Sequence, residues 1–261
     1  METKDPFELD AVPRRVMPLI YVVDTSGSMD GAKIAMLNTA VRETLNDVGE
    51  ISKNNSDAQI KIAVLEFSND AHWHANNLID SESFTWIDLE AGGLTSLGAA
   101  YEELNNKLSK SHGFMAEPTG SRAPAIILLS DGEPTDDWKH PLDKLKGNRW
   151  FNTGVKVAIG VGDDANKAVL AEFTGSIEAV ITVHDVAQLK KIIHTVSVTA
   201  SQVASQSASV GASSNTGTPA DAQSQVTDSI SEAIKSDPDL QGVDQGDSTA
   251  NQGTDYWGDN W

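Results

Sequence analysis

Five oxygen-bearing side chains on three short segments carry the chemistry that this sequence can offer. Asp24-Thr25-Ser26-Gly27-Ser28 places one carboxylate and two hydroxyls on a tight turn, directly after an apolar run. A second carboxylate, Asp131, ends the run Leu128-Leu129-Ser130-Asp131, and a third segment, Gly92-Gly93-Leu94-Thr95-Ser96, brings a hydroxyl on Thr95. Its glycines allow close backbone approach. Ser and Asp are common at ordinary turns, so the first segment alone says little. The ordered set says more: hydroxyls with one or two carboxylates suit a hard divalent cation that keeps part of its water shell. That points to Mg²⁺, with Mn²⁺ or Ca²⁺ as alternatives. Ser96 is a further hydroxyl beside Thr95, and Glu133, Asp136 and Asp137 could add an acidic rim.

Such residues converge only if strands and turns deliver them to one place. Near-continuous apolar runs at 17–23, 60–67, 125–129, 155–161 and 180–183 read as strands buried on both faces, with a weaker edge strand near 72–78. Between them, Ile34, Leu37, Val41, Leu45 and Val48 recur at helical spacing, with Asp30 as the expected N-cap. Further helices fit 96–108, the region of Leu142 and Leu145, 165–173 and 186–198. This alternation predicts an α/β fold, a doubly wound and mostly parallel sheet flanked by helices, with one edge strand. In such sheets ligands bind beyond the carboxyl ends of strands where chain order reverses, and Asp24 and Asp131 each follow a strand.

The domain is expected over 17–200, after an extension at 1–16. Residues 201–261 turn to Ser, Ala, Gln, Asp and Gly and hold eight Asp, one Glu and one Lys. With few aliphatic residues and no sustained period beyond a trace near 226–234, they are expected to form a disordered acidic tail. Its closing aromatics, Tyr256, Trp257 and Trp261, suggest a short docking motif.

The formal charge of −19 argues against a grip on nucleic acid or anionic membrane. The absence of cysteine excludes disulfides and thiolate zinc sites. The acidic opening lacks a secretory pattern and no apolar run approaches a membrane span, so a cytoplasmic protein is expected. His72 and His74 share a spacing that can bind zinc but lack a third ligand, and Trp138 and Trp150 read as packing residues.

Over roughly 17–198 the sequence resembles the von Willebrand factor A domains. Asp24, Ser26 and Ser28 match the DxSxS element of that family's metal-ion-dependent adhesion site, Thr95 its loop threonine and Asp131 its later aspartate. The segments 24–29 and 129–135 are most similar to the bacterial intracellular branch typified by TerY and YegL proteins. The resemblance implies that the serines and threonine touch the metal, that the aspartates often act through water, and that a partner's Asp or Glu fills the open position. It further implies an adaptor for a protein partner, with kinases, phosphatases or stress-response proteins as candidates in a signalling or defence assembly. Leu94 is an extra residue between the glycine pair and Thr95, which leaves Ser96 as an alternative ligand. A metal-dependent phosphohydrolase fits less well: no GxSxG or GxxxxGK[ST] motif occurs, and Ser26 stands where a haloacid-dehalogenase-like site would want Asp. In a third reading the acidic tail, through Asp255 or Asp259, occupies the protein's own metal site or that of a neighbouring copy, since a flexible segment of that length spans roughly 40 Å.

Overall fold

The computed structural model describes residues 13–131, 133–163, 165–206 and 218–247. The order is β1 (Arg15–Asp24), α1 (Ala32–Asn54), β2 (Ala58–Phe67), β3 (Ala71–Trp73), β4 (Ile79–Asp80), α2 (Leu97–Lys107), β5 (Ala125–Ser130), α3 (Lys139–Lys146), α4 (Arg149–Thr153), β6 (Val155–Val161), α5 (Lys167–Thr174), β7 (Val180–Val183), α6 (Val186–Gln206), α7 (Pro219–Ser236) and β8 (Asp244–Gln245). The sheet runs β3-β2-β1-β5-β6-β7-β8, with β4 also on β2. β2, β1, β5, β6 and β7 are mutually parallel, as expected for strands read as continuous apolar runs. The antiparallel additions are β3 and β4 on β2, and β8 on β7. Both margins of the sheet are therefore closed by short antiparallel strands, where one edge strand was expected.

Alternation along β1 divides the core in two. Met17, Leu19, Tyr21 and Val23 pack with Leu37 and Val41 of α1 and Ile192, Ile193 and Val196 of α6. Ile20 and Val22 face Tyr101 and Leu104 of α2, Leu142 of α3, Phe151 of α4 and Phe173 of α5. Every second residue thus feeds one layer of helices, as the pleat requires. The buried Tyr21 hydroxyl donates to Ser197 Oγ at 2.9 Å.

Two expectations give way to the structure. Gly31, at φ 78°, holds the N-cap of α1, while Asp30 folds its carboxylate onto the Gly31 N–H at 2.8 Å. Only a residue tolerant of positive φ fits the cap position. More broadly, part of the segment read as a disordered tail is built into the domain. α6 continues to Gln206, and α7 follows, opened by a capping box between Thr218 and Asp221 with Pro219 in its first turn. Val226, Ile230 and Leu240 are 0–1% exposed and belong to the core. Lys191 of α6 donates to Asp237 at 2.7 Å and Asp239 at 2.7 Å, which anchors the turn after α7. Composition hid this helix because its apolar residues are few, yet they fall on one face. The closing aromatics Tyr256, Trp257 and Trp261, and Asp255 and Asp259, lie outside the described residues. Among the described residues, no helix is long and apolar enough to cross a membrane.

Candidate metal centre

β1 lies between β2 and β5, so the chain order reverses at the β1–β5 boundary. The parallel register sets Val23 beside Leu129. Asp24 and Asp131 consequently leave adjacent strands at the same end of the sheet, where a crevice forms in folds of this kind.

Asp24 and Asp131 are both 0% exposed. Asp24 Oδ1 accepts from the Ser26 N–H at 2.8 Å and Oδ2 from the Ser130 hydroxyl at 2.6 Å. Burial pushes the Asp24 carboxyl above its ordinary value, against the bonds from Ser130 and Ser26, and the charge of Asp131 adds to the rise. The Ser26 and Ser28 hydroxyls are 2.9 Å apart, and the Ser28 hydroxyl donates to Asp131 Oδ1 at 2.7 Å. Lys33 Nζ, from the first turn of α1, donates to the other oxygen, Oδ2. Ser26, Ser28 and Asp131 thus form one hydrogen-bonded string beside Asp24, open to the surface at Ser28.

The third loop is laced onto the other two through the backbone. The Gly27 N–H donates to Gly93 O at 3.1 Å and the Gly92 N–H to Thr25 O at 2.8 Å. Thr95 and Thr135 bond reciprocally, Thr95 N–H to Thr135 Oγ1 at 3.1 Å and Thr135 N–H to Thr95 O at 2.9 Å. The Thr95 hydroxyl itself has no hydrogen-bond partner among the described residues. Gly93 has φ 88°, and a Cβ there would sit 2.8 Å from the Asn69 side chain, whose Oδ1 accepts from the Leu94 N–H at 3.0 Å. Leu94 itself is 59% exposed. The Ser96 hydroxyl donates to Asn69 O at 2.9 Å, and Glu133 Oε1 accepts from Asn166 at 2.6 Å. Asp136 accepts from the Gly98 and Ala99 N–H groups at 3.1 and 3.2 Å, where it covers the start of α2.

Four residues that the sequence did not single out hold this arrangement. Ser130 grips Asp24, Lys33 grips Asp131 and Thr135 fixes the Thr95 loop. Asn38 of α1 accepts from Trp86 Nε1 at 3.0 Å and the Leu89 N–H at 2.9 Å, and donates to Leu89 O at 3.0 Å. It thereby anchors the chain leading to Gly92. The readable signals were Ser130's place before Asp131 and the position of Lys33 in the first turn of a helix.

The donor set fits a hard divalent cation: two carboxylates, three hydroxyls, and no sulfur. Among the described residues no group of three His, Asp or Glu is placed to hold a metal. His74 lies 3.3 Å from Glu66 and stacks on Trp86, away from this cluster.

The model of the von Willebrand factor type A domain matches residues 19–195. Inter-alpha-trypsin inhibitor heavy chain H4 of Bos taurus is 29% identical over 175 residues, covering 63% of this chain and 18% of that protein. The H4 chain of Sus scrofa is 30% identical over 144 residues, 53% of this chain and 14% of its own length. The chain therefore spans less than a fifth of these relatives. Among solved structures, proximal thread matrix protein 1 of the mussel byssus superposes with TM-score 0.55 at 18% identity, over 72% of this chain and 49% of that one. A further structure of that protein has zinc in its adhesion-site motif, with TM-score 0.55, 18% identity, and 72% and 48% coverage. A von Willebrand factor type A protein from Catenulispora acidiphila gives TM-score 0.53 at 16% identity, covering 72% and 43%.

Proposed function

Because this chain belongs to the von Willebrand factor type A domain family, whose members are typically non-catalytic modules for binding protein partners, we propose that it is a cation-dependent adaptor. Asp24, Ser26, Ser28, Thr95 and Asp131 hold the ion, with Mg²⁺ the expected occupant, and an Asp or Glu of a protein partner completes the site. The observation that carries this reading is the string Ser26, Ser28, Asp131, set beside Asp24 at the β1–β5 switch point. Adhesion sites of this family bind divalent cations, and one structural neighbour carries zinc there. The bound cation would supply one open coordination position to a carboxylate. This chain's residues do the rest: Ser130 and the Ser26 N–H fix the Asp24 carboxylate, while the Gly27–Gly93 and Thr95–Thr135 bonds keep the three loops in register.

Segments 24–29 and 129–135 favour the bacterial intracellular TerY- and YegL-like branch, a cytoplasmic setting, and a partner from a stress-response, signalling or defence assembly.

Isothermal titration with Mg²⁺ and Mn²⁺ tests the reading. One-site binding in the wild type that is lost in an Asp24→Ala, Ser26→Ala double variant is the expected result. Equal binding by the double variant, or partner capture that persists in EDTA, would overturn it.

A further inference from the structure

We infer that Lys33 gives the cation-loaded site its preference for an anionic ligand. The inference rests on the metal reading above and concerns a residue of this chain rather than the ion. Lys33 stands in the first turn of α1, where a positive charge opposes the helix dipole and where no acidic residue offsets it. Its partner is not on its own helix. Lys33 Nζ reaches across to Asp131 Oδ2, while Ser28 takes Oδ1, so the ammonium and the hydroxyl string hold opposite oxygens of one fully buried carboxylate. The Lys33 side chain is 30% exposed against 0% for Asp131, so the charge lies between the buried site and solvent.

Charge bookkeeping gives this position its consequence. Asp24 and Asp131 contribute two negative charges, which a divalent cation alone would cancel, leaving little electrostatic pull on a further anion. Lys33 adds one positive charge. The loaded site then carries a net charge of +1, which a single carboxylate neutralises, and a neutral amide does not. The same ammonium repels the incoming cation and competes for Asp131, so it holds metal affinity down. Lys33 thus weakens the first binding step and strengthens the second. A purely structural lysine would, when removed, weaken both.

The experiment compares wild type with Lys33→Met and Lys33→Arg. Mn²⁺ is titrated calorimetrically, and acetate is then titrated into Mn²⁺-saturated protein while water proton relaxation is followed, with chloride matched throughout. A unit charge a few ångströms away at an intermediate effective dielectric predicts about tenfold weaker acetate binding in Lys33→Met and, because the ion carries two charges, at least about tenfold tighter Mn²⁺ binding. Lys33→Arg should stay within about threefold of wild type in both, since the charge is kept. If Lys33→Met shifts both constants in the same direction, or leaves either unchanged while wild type binds Mn²⁺, the inference is overturned and the metal reading stands. Wild type that takes up no Mn²⁺ overturns the metal reading and this inference with it.

Discussion

Replacing Ile230 by Ala probes the segment where composition and structure part most sharply. In a disordered tail the substitution would cost nothing measurable. In the structure Ile230 is 1% exposed and packs in the same core as Val226, Ile192 and Val196. Truncating a buried Ile to Ala removes the transfer free energy of its methyl groups and leaves a cavity that relaxes only in part, together about 2–5 kcal/mol. α7 packs against both α6 and β6, and about 3 kcal/mol, the middle of that range, is the working value. With a urea dependence of roughly 2–3 kcal/mol per M for a domain of this size, the unfolding midpoint should fall by roughly 1–1.5 M without a change of slope. Urea unfolding followed by far-UV circular dichroism measures this, with Asp228→Ala on the exposed face of the same helix as the control, expected within about 0.5 kcal/mol of wild type. A midpoint for Ile230→Ala that matches the control would refute the assignment of α7 to the domain.

Two further substitutions test other joints of the structure. Asn38→Ala strips the partners from Trp86 Nε1, the Leu89 N–H and Leu89 O at once. About 2–4 kcal/mol should be lost in denaturant unfolding, and a loss under about 0.5 kcal/mol would show that the 86–91 segment is held by other means. Lys156 of β6 has its ammonium against the carbonyls of Phe151 and Gly154, and burial pushes it down to about 8. Between about pH 8 and the unfolded value near 10.5 the unfolded chain holds a proton that the folded one has released, so stability rises with pH across that window. Relative to a Lys156→Met variant, wild type should gain at most about 3 kcal/mol from pH 8 to 10.5, and parallel stability curves for the two proteins would exclude the effect.

The strands were the most legible part of the sequence, because a strand buried on both faces is apolar at nearly every position. β6 and β7 begin and end where their valines do. α7 was hidden for the opposite reason: Ala222, Val226, Ile230 and Ile234 are spaced by four on one face but diluted by Ser, Gln and Asp. The Thr218–Asp221 capping box was in plain view, yet a cap acquires meaning only once a helix behind it has something to pack against. β8 has no apolar residue and forms because β7 offers it an unpaired edge. In the candidate centre, Asp24, Ser26, Ser28 and Asp131 were readable because the chemistry of oxygen ligands restricts residue type. Ser130, Lys33, Thr135 and Asn38 act through partners 40–106 positions away in the chain, so only the folded register shows what they do.

Because β8 runs against β7, the chain passes Gly246 heading away from the Asp24 and Asp131 loops, and β1 starts at the far end from them. The two ends of the described chain therefore differ: β1 begins at the pole opposite the cation-binding loops, whereas the register across β1, β5, β6, β7 and β8 sets Gln245 level with Val23, at the loop end of the sheet. Whatever adjoins residue 13 is fastened behind the site, about 30 Å from it by the length of β1, while the chain at β8 stands about four strand spacings to one side of β1, roughly 20 Å.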